Sequence, residues 1–187
     1  LKIITLIGYR GTGKTTVARP LAERLGWRAV DADIELERRA GRTIREIFAT
    51  DGEPEFRRLE RETLCELLTQ QQLVIAAGGG AILDTQTRTD FRSAGPVVWL
   101  KASIDTIEQR LHGDSTTRER RPNLTSSGGR AEIEQMLTLR EPLYRDCATI
   151  VVDTDQPLPG SCDAPTVTQI VDFILERLEN PTGQEAT

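Results

Sequence analysis

The sequence has one histidine, one methionine and three cysteines in 187 residues. Nowhere does an apolar run approach the ~20 residues that a membrane-spanning helix requires. These shortages remove several function classes. Cys65, Cys147 and Cys162 are odd in number and lack the close spacing of a zinc site or a redox pair, so a reducing compartment, the cytoplasm, is expected. His112 stands in a polar stretch with no candidate catalytic partner beside it and reads as an exposed side chain. Basic residues are also short: 24 Lys and Arg against 29 Asp and Glu leave a net charge of -5. That balance argues against a nucleic-acid surface, which needs broad basic patches. Any arginines that matter should therefore be clustered locally. No membrane partner is expected, and the start, "LKIITLIGYRG", runs into a motif without a cleavage-site pattern. The length suits one well-buried core with appended flaps, and a monomer is expected.

Five short, β-branched apolar runs alternate with helical patterns: 2–8, 27–33, 73–80, 96–102 and 149–154. Their lack of polar alternation predicts strands covered on both faces. Helices are predicted over 14–25, 34–49 with a break at Gly41, 54–71, 84–92, 103–111 and 131–144. A last helix sets Val167, Ile170, Val171, Ile174, Leu175 and Leu178 on one face. This order predicts an α/β fold, a parallel sheet with helices on both sides. Two segments exceed a minimal core. One is the helical excursion from Asp33 to Gln72; the other is the polar stretch 112–129, read either as a lid or as an idle loop. The tail, 180–187, reads as disordered.

The stretch Gly8-Tyr9-Arg10-Gly11-Thr12-Gly13-Lys14-Thr15 satisfies the GxxxxGK[ST] pattern between a predicted strand and a predicted helix. Glycines at 8, 11 and 13 let successive N–H groups face an anion, and the helix N-terminus adds positive charge. Gly11, Thr12, Gly13, Lys14, Thr15 and Thr16 are thus the candidate nucleotide-phosphate site, with the Thr15 hydroxyl for Mg²⁺ and Lys14 for the β- and γ-phosphates. Pro20, inside the following helix, removes a hydrogen bond. A P-loop enzyme also needs a carboxylate for the metal. "AVDAD" offers Asp31 and Asp33 at the carboxyl end of the second strand; we assign Asp31 to Mg²⁺ and Asp33 to the second substrate. The alternative is that both simply cap the next helix, Asp33 above all.

Gly78, Gly79 and Gly80 follow the third strand and read as bare backbone that a hydroxylated ligand can approach, or as a flexible turn. Arg57 stands three residues before Glu60, beside a Phe56, Leu59, Thr63, Leu67 stripe, and Arg140 lies near the end of its helix with Pro142 just beyond. Taken singly, each is expected as a solvated helix arginine. Together in one cleft they would read a carboxylate. Arg121, in the polar stretch, is the candidate mobile cation.

"GYRGTGKTT", "VDAD", "EPEFRRLE", "AAGGGAIL", "RRPNL" and "LREPLYRDCA" in this order resemble the shikimate kinase family over residues 3–155. The resemblance implies a five-stranded parallel P-loop kinase fold with an acceptor-binding subdomain, 33–61, and a mobile lid, 112–129, in a single domain, 1–179. It implies ATP and Mg²⁺ as cofactors and transfer of the γ-phosphate to the 3-hydroxyl of shikimate. By resemblance Lys14, Asp33 and Arg121 are catalytic, Arg110 stacks on adenine, and Asp33, Arg57, Gly78, Gly79, Gly80 and Arg140 bind shikimate. The lid is longer than the family pattern and carries Arg118, Arg120 and Arg121 together. The long segment after "VVDT" leaves the adenine-contacting loop unassigned. A gluconate or nucleoside monophosphate kinase, or a nucleotide-sensing regulator without catalysis, are the alternatives.

Overall fold

The structure, a computed structural model, describes residues 2–113 and 129–180. Five strands, β1 (Ile3–Ile7), β2 (Arg28–Asp31), β3 (Leu73–Ala76), β4 (Val97–Lys101) and β5 (Ile150–Asp153), form one sheet in the order β2-β3-β1-β4-β5. Every pairing is parallel, with Ile3 beside Leu73, Thr5 beside Val97, Ala29 beside Val74 and Trp99 beside Val151. The three inner strands are apolar without alternation because both of their faces are packed. Ile3, Ile7, Leu73, Ile75, Val97 and Trp99 join one cluster, and Ile4, Leu6, Val74, Ala76, Val98 and Leu100 the other. The edge strands differ from the expectation of full coverage. Arg28 and Ala29 of β2 and Val151 of β5 are exposed, since each edge strand has a neighbour on one side only.

Helix α1 (Lys14–Leu25) packs with α8 (Val167–Glu179) on the second of these clusters. Ile170, Val171 and Ile174 of α8 are buried on the face that the periodicity predicts. The opposite face carries α4 (Gly52–Leu68), α5 (Thr85–Ala94) and α7 (Gly129–Cys147). Pro20 lies inside α1, which continues through it. Its missing donor would have met the carbonyl of Thr16, an exposed residue that water can reach.

The excursion after β2 comprises α2 (Ala32–Ala40), α3 (Ile44–Thr50) and the start of α4. It breaks at Gly41 as expected, where φ is 64°. Leu36, Ile44, Ile47 and Phe56 give it a small apolar core of its own, and a capping box between Thr43 and Glu46 starts α3. Several predicted boundaries move. β2 ends at Asp31, two residues early, because Asp31 caps α2 and the chain is helical from Ala32. The segment 73–80 is a strand only to Ala76, and the glycines lead through a short 3₁₀ turn (Ala81–Leu83) into α5. Helix α7 runs to Cys147 with Pro142 inside it, so Arg140 is not near a terminus.

The expected lid spans 112–129. Helix α6 (Ile104–Gly113) takes its first two residues and α7 begins at Gly129, while 114–128, including Arg118, Arg120, Arg121 and Pro122, lie outside the described residues. His112 is exposed, as expected. The predicted tail falls mostly outside the description too, apart from Asn180, the C-cap of α8. Cys65, Cys147 and Cys162 are free thiols; burial pushes that of Cys147 up to about 11. Among the described residues no helix is long and apolar enough to cross a membrane.

Candidate active site

The loop after β1 is shaped by its glycines. Gly8, Gly11 and Gly13 have φ of 141°, 80° and 89°, the region where L side chains are strained. A Cβ on Gly8 would also collide with the Leu100 carbonyl oxygen of β4. The Thr12 hydroxyl donates to the Tyr9 carbonyl at 2.8 Å, and Lys14 Nζ donates to the carbonyls of Gly8 and Tyr9 at 2.8 and 2.9 Å. Lys14 thereby closes the loop on itself. Gly13 caps α1 in the left-handed conformation without a side-chain hydrogen bond, so the first N–H groups of the helix face the loop's hollow, an anion site.

Asp31 divides its carboxylate. Oδ1 accepts from the backbone N–H of Asp33 and Ile34 at 3.0 and 3.3 Å, which caps α2, while Oδ2 accepts from the Thr15 hydroxyl at 2.6 Å. The capping role expected for Asp33 as the alternative thus belongs to Asp31. The argument that residues two apart on a strand face the same way also fails here, since Asp33 is already helical. Asp33 nevertheless lines the same cleft, brought there by the first turn of α2. Thr15 and Asp31 present paired hard oxygens at the helix N-terminus, the donor chemistry that suits Mg²⁺. No cluster of three or more His, Cys, Asp or Glu side chains able to hold a metal occurs among the described residues. Magnesium fits such a sparse donor set because it keeps waters and takes phosphate oxygens as ligands.

A cavity of about 650 Å³ follows the loop. Residues 10–17 form its floor; Asp31, Asp33, Ile34 and Ile44 close one end with Ala76–Gly79, and Arg110, Leu111, Thr154, Pro165, Val167 and Ile170 the other. At the second end Arg110 Nη1 donates to Thr154 Oγ1 at 3.0 Å and to the Gly11 carbonyl at 3.2 Å, and its Nη2 donates to the Thr154 carbonyl at 3.1 Å. Asp155 next to it holds the start of α6, accepting from Ser103 N–H at 2.8 Å, while the Ser103 hydroxyl accepts from Thr106 N–H at 3.3 Å. Burial works against that carboxylate, but the Ser103 and Thr106 hydrogen bonds hold it below the usual range.

Beside the first end, though neither lines the cavity itself, both arginines meet the glycine run. A Cβ on Gly80 would lie 2.7 and 2.8 Å from Arg57 Nη1 and Nη2, so only glycine leaves room for that guanidinium. Arg57 is clamped by Glu60 Oε2 at 2.6 Å and by Glu53 Oε1 at 3.0 Å. Arg140 Nη1 lies 3.4 Å from the Gly79 carbonyl, which also accepts from the Tyr144 hydroxyl at 2.5 Å. Arg140 is 6% exposed, contrary to the solvated arginine expected from its residue type alone. Gly79 is tight for another reason: its Cβ would stand 3.3 Å from the Gly8 carbonyl. The glycine run therefore packs against the phosphate loop as well as baring its backbone.

Several residues escaped the sequence reading. Thr154 closed the last predicted strand without a role, and Pro165 belongs to the segment left unassigned, whose only signal was its length. Glu53 precedes Arg57 by one helical turn, a legible spacing. Tyr144 sits in "PLY" and stacks on Trp99 at 5.7 Å between centroids. Arg10 pairs with Glu132, a side chain with 0% exposure, and no pattern marks a carboxylate as that deeply buried.

The shikimate kinase family model matches residues 10–179. A shikimate kinase from Rhodopirellula baltica is 44% identical over 149 residues, 80% of each chain. Another, from Francisella tularensis subsp. novicida, is 42% identical over 176 residues, 94% of this chain and 96% of its own. Among solved structures, a shikimate kinase from Acinetobacter baumannii in complex with shikimate superposes with a TM-score of 0.84 at 33% identity, covering 98% of this chain and 96% of that one. A parallel sheet read by a phosphate loop, two arginines meeting at one glycine run, and these matches over most of its length have one meaning: the chain belongs to the shikimate kinase family.

Proposed function

We propose that this protein transfers the γ-phosphate of ATP to the 3-hydroxyl of shikimate, giving shikimate 3-phosphate and ADP, a step of aromatic amino acid biosynthesis. The observation that carries this reading is the convergence of Arg57 and Arg140 on adjacent glycines beside the phosphate loop. Two planar guanidinium forks in one cleft suit a small carboxylate acceptor. Residues 33–61 then form the acceptor-binding subdomain of a single kinase domain, and 112–129 the lid, with Arg121 closing over the transferring phosphate.

The N–H groups of residues 11–16 hold the β- and γ-phosphates, and Lys14 balances their charge. Arg110, fixed by Thr154, offers its flat face to adenine. Thr15 and Asp31 would hold Mg²⁺, which when bound neutralises charge on the phosphate oxygens. Arg57 and Arg140 take the shikimate carboxylate, the N–H groups of Gly78, Gly79 and Gly80 meet its hydroxyls, and Asp33 accepts from the 3-hydroxyl. In the transfer, the bond from the 3-oxygen to the γ-phosphorus forms as the bond from that phosphorus to the β–γ bridging oxygen breaks, with ADP as leaving group and the 3-hydroxyl proton passing to Asp33. Little deprotonation is required early in a loose transition state, so Asp33 acts chiefly by aiming the oxygen. The protein works as a monomer in the cytoplasm, without nucleic-acid or membrane partners.

ADP release from Mg·ATP, measured with shikimate, gluconate or AMP in turn and with product mass determined, tests the reading. Release with shikimate alone supports it; release with gluconate or AMP instead overturns it.

Gly80→Ala offers a finer check. The new methyl displaces the guanidinium end of the Arg57 side chain from its Glu53 and Glu60 clamp, not backbone, and the φ of -102° suits alanine. Melting temperature should stay close to wild type while the shikimate KM rises about tenfold through misplacement of the fork. An unchanged KM would detach Arg57 from the acceptor.

A further inference from the structure

Arg10 occupies a variable position of the phosphate-loop motif, yet its side chain is not spent on solvent. Its Nη2 is ion-paired with Glu132 Oε1, and the two side chains are 18% and 0% exposed. Glu132 stands in the first turn of α7. Two turns further along the same helix, about 12 Å at 1.5 Å per residue, is Arg140. Between them lies Tyr9, fully buried, with the Arg10 and Arg140 guanidinium carbons 5.7 and 5.9 Å from its ring centre. Tyr9 packs with Ile107 of α6 and Ile133 of α7. Burial pushes its phenol up, so the ring stays neutral between the two cations. The backbone N–H of Arg10 closes the circuit, lying 3.5 Å from where a Cβ of Gly79 would be.

We propose that Arg10 and Glu132 are positioning residues that fix α7 against the phosphate loop and so set where Arg140 meets the acceptor carboxylate. The inference rests on the acceptor reading above. A buried ion pair contributes little net stability, because desolvation offsets most of the attraction, and apolar residues of similar volume often replace it without loss. What such a pair supplies is direction. Arg10 reaches from a loop whose geometry the nucleotide requires, and Glu132 accepts it only when α7 lies in one register. The phosphate donor and Arg140 are thereby referred to a common frame. Lysine at residue 10 keeps the charge but loses the planar fork.

The test separates packing from positioning. Arg10→Met/Glu132→Leu removes both charges and keeps the volume; Glu132→Gln is measured beside it and read by the same criteria. Wild-type turnover of shikimate is measured first, and its absence would sink the acceptor reading itself without reference to any variant. Given that turnover, the double variant should melt near the wild-type temperature and Glu132→Gln, which leaves the Arg10 charge without its carboxylate, lower, while both keep an ATP KM close to the wild-type value. Their shikimate Kd by calorimetry and KM by kinetics should both rise about tenfold, as a misplaced anchor predicts. A folded variant with wild-type shikimate binding would reduce the pair to packing, and an ATP KM raised as much as that for shikimate would confine it to the phosphate loop; either overturns the proposal.

Discussion

Asp33→Asn should lower kcat by about 10²- to 10⁴-fold, the range for loss of a group that handles the reacting proton or aims its oxygen. The ATP KM should hardly change, because Asp33 enters the cleft from α2 while the phosphates rest on the loop before α1. Asparagine keeps the shape and can still accept a hydrogen bond, so the variant isolates the carboxylate charge. The first turn of α2 survives the change, since the cap is Asp31 and not Asp33. Stopped assays of shikimate 3-phosphate formation decide it. A kcat near wild type would remove Asp33 from the acceptor hydroxyl.

Arg140→Ala should raise the shikimate KM about 100-fold, equivalent to ~2.7 kcal/mol, within the range for truncating one partner of a buried charged contact. Arg140 is nearly inaccessible to water, so an acceptor carboxylate reaching it would be desolvated and its interaction with the guanidinium little screened. Arg140→Lys should fall between the two, as it retains charge without the bidentate fork. Tyr144 supports the arrangement by holding the Gly79 carbonyl. An R140A enzyme with normal shikimate KM and reduced kcat alone would move Arg140 from anchoring to the chemical step.

Local spacing made the phosphate loop, Asp31, and the Arg57–Glu60 pair legible, because each depends on residues within one turn or one motif. The sheet was legible for a related reason: strands apolar at every position have only one comfortable location, between two helical layers. What could not be read depends on long-range approach. Glu132 meets Arg10 across 122 residues, and Arg140 is buried only because α7 passes the glycine run. Asp33 does line the cleft, but not for the reason of strand pleating, since a cap at Asp31 turns the chain first. Arg140 was read as lying near the end of its helix, whereas α7 runs on through Pro142 to Cys147.

The two carboxylates that grip Arg57 have a consequence for a ligand as small as shikimate. A free arginine carries ~2 kcal/mol of rotamer entropy that binding would have to remove. Glu53 and Glu60 remove it in advance, so the ordering is borne by folding and not by the encounter. A substrate with few atoms has few contacts with which to offset such a loss. In the proposed function the acceptor would meet a guanidinium already oriented, leaving nearly all of its modest contact energy to hold the 3-hydroxyl in line with the phosphate.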